Sequence, residues 1–271
     1  MSNTGTKIGF AGVGRMGHGM LANLRKSGIL ATGFDIRPPS DFPDLPVTDD
    51  ADAFAADLVE LHSVVRDAGE TDEVLFGRQG FVSRAPNLKT IVIHSTLSPD
   101  YVRGLRARVP SHIDLVDAPM SGAEVGAIEA TLAFMIGGKD ETVTRLMPQF
   151  TAMGKNIHHM GEFGMGMQAK VLNNLLCASH TAMSRLVLDW ADQSGLDRAK
   201  LLALIETATG QNWFTSRFEQ IEFARHGFEP DNTIGILVKD VSCALDAAPD
   251  GADTSLPEVV RATMRGLTPI T

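Results

Sequence analysis

The stretch KIGFAGVGRMGHGM, residues 7–20, decides the fold. Ile8 to Ala11 is a short apolar run, Gly12-Val13-Gly14-Arg15-Met16-Gly17 follows without a break, and Met20, Leu21 and Leu24 then recur at helical spacing. The pattern predicts a strand, a glycine turn and a helix. In such a turn the first glycine allows the sharp exit from the strand, the second lets backbone approach a pyrophosphate, and the third lets helix pack on strand. The new helix aims its unpaired N–H groups and positive dipole end at the phosphates. Alone, the string is equally an ordinary glycine turn. Its context points further, because a second apolar run, Ile29 to Phe34, ends in Asp35, where an acid reaches both ribose hydroxyls of an adenosine.

Outward from that turn the chain alternates. Asp35 leads into IRPPSDFPDLPVTDD, too rich in proline for a regular helix. Arg37 is either a solvated loop charge or a partner for the adenine or a 2′-phosphate. Asp35 repels a 2′-phosphate, so NAD is preferred and NADP stays open. Residues 51–56 read as helix, Leu58 to Val65 as a third inner strand, and Val74 to Phe76 as one face of a helix stopped by Gly77 and Gly80. Thr90 to His94 is a buried strand with Ser95 and Thr96 at its carboxyl end, the edge where ligands lie in doubly wound sheets. His94 is a tempting base, but a histidine inside an apolar strand is more often packed and hydrogen-bonded. Pro99 opens a helix, Ile113 to Val116 is a strand, the stretch from Gly126 reads as a turn before a strand at Leu132 to Ile136, and Glu141 to Met153 is helical before a short apolar element at Ile157 to Met160. Strands alternating with helices imply a parallel sheet covered on both faces.

From Gly161 the pattern changes to helix: Met165 to Ser194 in one piece, then Arg198 to Thr207, Trp213 to Arg225, Gly235 to Ala247 and Pro257 to Arg265. The reading is therefore an α/β chain with an N-terminal Rossmann domain, residues 1–163, followed by an all-α domain, residues 164–271, joined through a long helix. Trp213 and Phe214 read as core packing.

Composition limits the partners. With 24 Lys and Arg against 33 Asp and Glu, the formal net charge is −9 and no basic block is present, which argues against nucleic acid. No apolar run reaches the ~20 residues that span a bilayer. The first strand starts near residue 7, leaving no room for a signal peptide. Cys177 and Cys243 stand in no metal-like spacing and read as reduced thiols of a cytoplasmic protein, with no metal site expected.

Four ordered motifs then carry a resemblance over nearly the whole chain: GFAGVGRMG at the first turn, DAPMSGAEVGA at 117–127, GMGMQAKVLNN at 164–174 and LVKD at 237–240. Together they resemble the β-hydroxyacid dehydrogenase family, relatives of 6-phosphogluconate dehydrogenase and the imine reductases. The resemblance implies an oxidoreductase moving a hydride between a nicotinamide cofactor and a small 3-hydroxy acid or its semialdehyde or keto acid. Residue by residue it implies that Lys170 is the catalytic lysine and Asn174 the asparagine holding lysine and substrate. Ser121, Gly122 and Ala123 would receive the substrate carboxylate, and Lys239 would line the same cleft and the cofactor. Residues 12–17, Asp35, Ile36, Arg37, Val65, Arg66, Ser95 and Thr96 would bind the cofactor. A homodimer or homotetramer packed through the long helix is implied as well.

The chemistry fits these assignments. Oxidising an alcohol needs a hydride acceptor on one side of the carbon and a base for the hydroxyl proton on the other, and a lysine serves once burial and nearby positive charge weaken its hold on the proton. Lys170, Asn173 and Asn174 share a helix face at i, i+3 and i+4. Three departures qualify the match. Ala123 replaces a second glycine, Asn232 stands where an aromatic residue is common, which points to a more polar substrate if it lines the pocket, and the chain ends at Thr271, so the last helical segment is expected to be short or absent. The retained lysine argues against imine reduction, and the intact set argues against a non-catalytic nucleotide sensor. A methyltransferase would not need the second and third motifs.

Overall fold

The computed structural model describes residues 7–270. Its first compact unit runs to Lys170 and its second begins at Val171.

Among the described residues the first unit is built on nine strands: β1 (Ile8–Ala11), β2 (Ala31–Phe34), β3 (Val47–Thr48), β4 (Glu60–Ser63), β5 (Thr90–Ile93), β6 (Asp114–Asp117), β7 (Met120–Ser121), β8 (Leu132–Gly137) and β9 (Gly154–Gly161). They form one sheet in the order β3-β2-β1-β4-β5-β6-β8-β7, with β9 also paired to β8. From β3 to β6 every pairing is parallel, and β8 closes that run antiparallel to β6. It is covered by the helices α1 (Arg15–Lys26), α2 (Ala51–Ala55), α3 (Ala68–Leu75), α4 (Phe81–Arg84), α5 (Pro99–Arg108), α6 (Ala123–Ile128) and α7 (Asp140–Met153). Parallel strands buried on both faces demand two cores. One gathers Leu61, Ile91, Ile93 and Leu115 with Phe54, Phe81 and Leu105, and the other gathers Ile8, Phe10, Val92 and Val116 with Leu21, Leu146 and Phe150. The doubly wound sheet read from the sequence is present.

Two details differ from the sequence reading. The third inner strand is only Glu60–Ser63, because its neighbours end level with it: Ser63 pairs with Ala11 on one side and Ile93 on the other. Residues 126–128, read as part of a turn, instead end a helix over 123–128, a conformation supported by close packing on α1. A Cβ at Gly19 would lie 2.7 Å from the Ala127 carbonyl. Asn23 donates its amide to the Ala127 and Ile128 carbonyls at 2.6 and 3.1 Å.

The long helix α8 (Met165–Gln193) starts in the first unit and continues into the second, which adds α9 (Arg198–Thr207), α10 (Trp213–Ser216), α11 (Thr233–Asp246) and α12 (Ser255–Arg265). The second unit's core joins Ala178 and Leu188 of α8 to Phe214, Phe218, Ile234, Val238, Val241, Val260 and Met264. The helix expected over Trp213 to Arg225 breaks after Ser216 and resumes as a 3-10 turn at Glu222–Arg225. Phe214 and Phe218 hold helical spacing, but Phe223 comes five residues later, so one continuous helix would not bury all three. The helix read at Pro257 to Arg265 is present as α12. Along α8, Leu172, Leu176, Met183, Leu186 and Trp190 are all exposed. Their spacings of 4, 7, 3 and 4 draw one heptad stripe.

Candidate functional site

The glycine turn has the expected strand-to-helix shape. Gly12 adopts φ +93°, which only glycine takes without strain, and a Cβ there would press to 2.5 Å from the Val64 carbonyl. A Cβ on Gly17 would meet the Gly12 carbonyl at 2.1 Å, so the third glycine does set helix against strand. Nothing lies within 4 Å of a Cβ built on Gly14, and no side chain caps the start of α1. Open space in front of an uncapped helix N-terminus is what a pyrophosphate needs, and Arg15 and Met16 belong to that same first turn. The residues present therefore fit a dinucleotide.

Asp35 is buried one strand away. Its carboxylate accepts the Val13 N–H at 2.8 Å and the Arg37 N–H, Nε and second terminal nitrogen at 3.0–3.1 Å. Burial works against the charged form, but the hydrogen bonds from Arg37 and Val13 outweigh it and hold the carboxyl below its ordinary value. Arg37 also donates to the Val13 carbonyl and lies 4.6 Å over the Phe42 ring, while Ile36 between them is exposed. Val65 and Ser95 are joined, the Ser95 hydroxyl donating to the Val65 carbonyl at 2.7 Å. Arg66 points outward in an ion pair with Glu70, and Thr96 follows Ser95 in the same loop.

Behind this edge runs a buried polar chain. His94 donates from Nδ1 to the Ala118 carbonyl at 2.8 Å, its Nε2 lies 2.9 Å from Nδ1 of His62, and His62 Nε2 meets Glu60 at 3.1 Å and Gln149 at 2.9 Å. Glu60 in turn takes Arg145 at 3.0 Å. Burial drives the His94 proton affinity well below the ordinary range. Since its Nδ1 proton is given to Ala118, its Nε2 is an acceptor and His62 donates. His94 is thus packed and hydrogen-bonded, not poised as a base.

Ser121 ends β7, and Gly122 and Ala123 open α6, with Gly122 at φ +134° and Ala123 at φ +55°. Ala123 thus takes a left-handed conformation that glycine adopts without strain.

Lys170 is 6% exposed, in the second turn of α8, and Asn174 stands one turn further on at 7%. Within the second unit Asn174 donates its amide to Asp240 at 2.6 Å, and Lys239 pairs with the other oxygen of the same carboxylate at 2.9 Å. Asp240 is the residue that sequence reasoning passed over: it lies inside the quoted LVKD motif, 1% exposed, and holds two of the singled-out residues. Asn232, expected to bear on substrate polarity, spends its amide on backbone instead, accepting from Gly235 N–H and donating to the Gly227 carbonyl, and caps α11. Phe214 is core, while Trp213 is 46% exposed and stacks on Phe223. Among the described residues no group of three or more His, Cys, Asp or Glu could hold a metal ion, and no helix is long and apolar enough to cross a membrane.

Comparison with known proteins agrees with this geometry. Residues 7–161 match the NAD binding domain of 6-phosphogluconate dehydrogenase, and residues 164–268 match the NAD-binding domain of NADP-dependent 3-hydroxyisobutyrate dehydrogenase. The chain is 31% identical to 3-hydroxyisobutyrate dehydrogenase of Pseudomonas aeruginosa over 89% of its own length and 84% of that protein. It is 32% identical to 2-hydroxy-3-oxopropionate reductase of Escherichia coli, over 89% and 84%. The solved structure of Mycobacterium tuberculosis 3-hydroxyisobutyrate dehydrogenase with L-serine superposes with a TM-score of 0.81 at 29% identity, covering 98% of this chain and 97% of that one. Two matched domains, an uncapped glycine turn and a buried lysine on the long helix lead to one assignment: the chain belongs to the β-hydroxyacid dehydrogenase family of nicotinamide-dependent enzymes.

Proposed function

We propose that the protein oxidises a small 3-hydroxy acid to its semialdehyde or keto acid, or reduces it in reverse, with Lys170 as the general acid/base. The observation that carries this is the burial of Lys170 one turn ahead of an asparagine whose amide is fixed by Asp240. When bound, the nicotinamide supplies the hydride acceptor or donor. Lys170 takes the hydroxyl proton in oxidation and returns it to the carbonyl oxygen in reduction. Asn174 orients lysine and substrate, and its own orientation is set because the Asp240 carboxylate accepts only from the amide nitrogen, turning the amide oxygen the other way. Ser121 and the backbone N–H groups about Gly122 offer neutral donors to the substrate carboxylate, and Lys239 adds attraction for the acid.

Gly12 to Gly17 receive the pyrophosphate, Asp35, Ile36 and Arg37 the adenosine with Val65 and Arg66 beside it, and Ser95 and Thr96 the nicotinamide ribose. The charged Asp35 favours NAD over NADP, because it accepts from ribose hydroxyls and repels a 2′-phosphate. The exposed heptad stripe of α8 is the face through which copies pair into a homodimer or homotetramer. Cys177 and Cys243 remain thiols, as a reducing cytoplasm keeps them.

The test is reduction of NAD and NADP by the pure protein over a panel of 3-hydroxy acids, with Lys170→Ala beside the wild type. Turnover with NAD that collapses in the variant while cofactor affinity survives is the expected result. Equal activity in Lys170→Ala removes the lysine from the mechanism.

A further inference from the structure

We propose that Asp117 is a positioning residue for Lys170, whose carboxylate seats the first turn of α8 and thereby fixes the height and rotation of the lysine. This rests on the reading of Lys170 as the acid/base.

Asp117 ends β6 and is fully buried. One carboxylate oxygen accepts the Gly164 N–H at 2.6 Å and the other accepts the Met167 N–H. Helix starts leave their first N–H groups without intrahelical acceptors, and here the acceptor comes from a strand about fifty residues earlier in the chain. Two bonds to two oxygens of one rigid carboxylate set both translation and rotation of the turn, which a single bond does not. The negative charge also lies at the positive end of a 29-residue helix.

Glycines make this approach possible. A Cβ on Gly137 would lie 2.3 Å from the nearer Asp117 oxygen, and one on Gly166 would lie 2.3 Å from the Met135 carbonyl and 2.9 Å from the other oxygen. Gly164 takes φ +97°, and its Cβ would meet Arg103 at 2.8 Å. Backbone of α8 therefore rests on the end of β8 with the carboxylate between them. Arg103 of α5 straps the same turn by donating to Gln168 at 3.2 Å. Lys170 follows Met167 by three residues, so the anchored N–H and the lysine lie on one side of the helix. Asp117 acts through backbone and needs no contact with substrate.

Asp117→Asn tests this. Asparagine keeps the shape, but its amide nitrogen confronts one of the two N–H donors. The expected result is a fall in kcat of about tenfold to a hundredfold, the usual cost of misplacing a catalytic group by about 1 Å, with NADH affinity within about twofold. Gly166→Ala, which pushes a methyl into the seat and leaves the carboxylate, should lower kcat alike, and thermal melts establish that each variant is folded. The residual rate of Lys170→Ala, with and without added methylamine, is then compared with that of Lys170→Ala/Asp117→Asn. A residue that acts through the lysine costs less than about twofold once the lysine is gone. Wild-type kcat in a folded Asp117→Asn protein overturns the proposal, as does a loss in the double variant equal to that seen with Lys170 present. Undiminished activity in Lys170→Ala alone defeats the acid/base reading instead.

Discussion

Gly19→Ala is a one-carbon change with a calculable cost. The added Cβ would stand 2.7 Å from the Ala127 carbonyl carbon and oxygen and 3.0 Å from the Ile128 nitrogen, against an ordinary contact of 3.4 Å or more. All three are backbone atoms, so no rotamer change relieves the clash, and α6 must withdraw from α1 by about 0.7 Å. Overpacking of this kind costs about 1–3 kcal/mol. The withdrawal also stretches the two bonds from Asn23, the shorter at 2.6 Å, and losing one adds about 1 kcal/mol. Alanine's preference over glycine inside a helix returns about 1 kcal/mol, so the expected destabilisation is about 1–3 kcal/mol in urea unfolding at unchanged m. Combined with Asn23→Ala, the two changes should be less than additive, because the displaced α6 has already weakened the Asn23 bonds. A Gly19→Ala protein destabilised by less than about 0.5 kcal/mol, or full additivity with Asn23→Ala, refutes the claim that this glycine docks α6.

Ala123→Gly should stabilise the protein by about 0.5–1 kcal/mol, since φ +55° strains an alanine by slightly more than glycine loses in chain entropy; a lower urea midpoint would refute this. Burial pushes the Asp117 carboxyl up to about 6 from an ordinary 3.8, against the opposing Gly164 and Met167 bonds. A carboxyl that binds its proton more tightly when folded contributes its stability below about pH 4 and loses it as pH rises through about 6, here roughly 3 kcal/mol. The stability of Asp117→Asn relative to wild type should therefore climb by that order between pH 4 and pH 7, and a flat difference in urea titrations would contradict the assignment.

What could be read from the chain beforehand was local. The turn at Gly12 to Gly17 and the acid at Asp35 are legible because strand, turn and helix are consecutive, Gly17 answers to Gly12 five residues back, Gly12 to the end of the adjacent strand, and Gly14 to open space. Lys170 and Asn174 share a helix face by their i, i+4 spacing, but only the resemblance singled them out, since a lysine at a helix start fits a surface charge equally well. Asp117 and Asp240 were not legible, although both lie inside quoted motifs: their partners sit 47 to 66 residues away, and no periodicity announces a carboxylate that serves another element. The short α6 escaped for a related reason. Its glycines read as a turn until Gly19 of another helix is seen to accept it. Asn232 erred in the opposite direction, since an amide that can line a pocket can equally cap a helix, and only the Gly235 and Gly227 distances decide.

The chain of side chains from Arg145 through Glu60, His62 and His94 to the Ala118 carbonyl also constrains how the sequence can change. Replacing His94 alone by an apolar residue strands a buried carbonyl and a buried imidazole N–H, at about 1–3 kcal/mol for each. Replacing His62 alone leaves the His94 Nε2 without its donor, while Glu60 keeps Arg145. Changing the whole set together to apolar residues of similar volume leaves only the Ala118 carbonyl unpaired, and so costs less than the single steps summed. Four positions on three elements thus behave as one heritable character: substitutions there are rugged one at a time and smooth only as a block, so a library that varies these positions singly will score each as essential while one that varies them jointly will find alternatives.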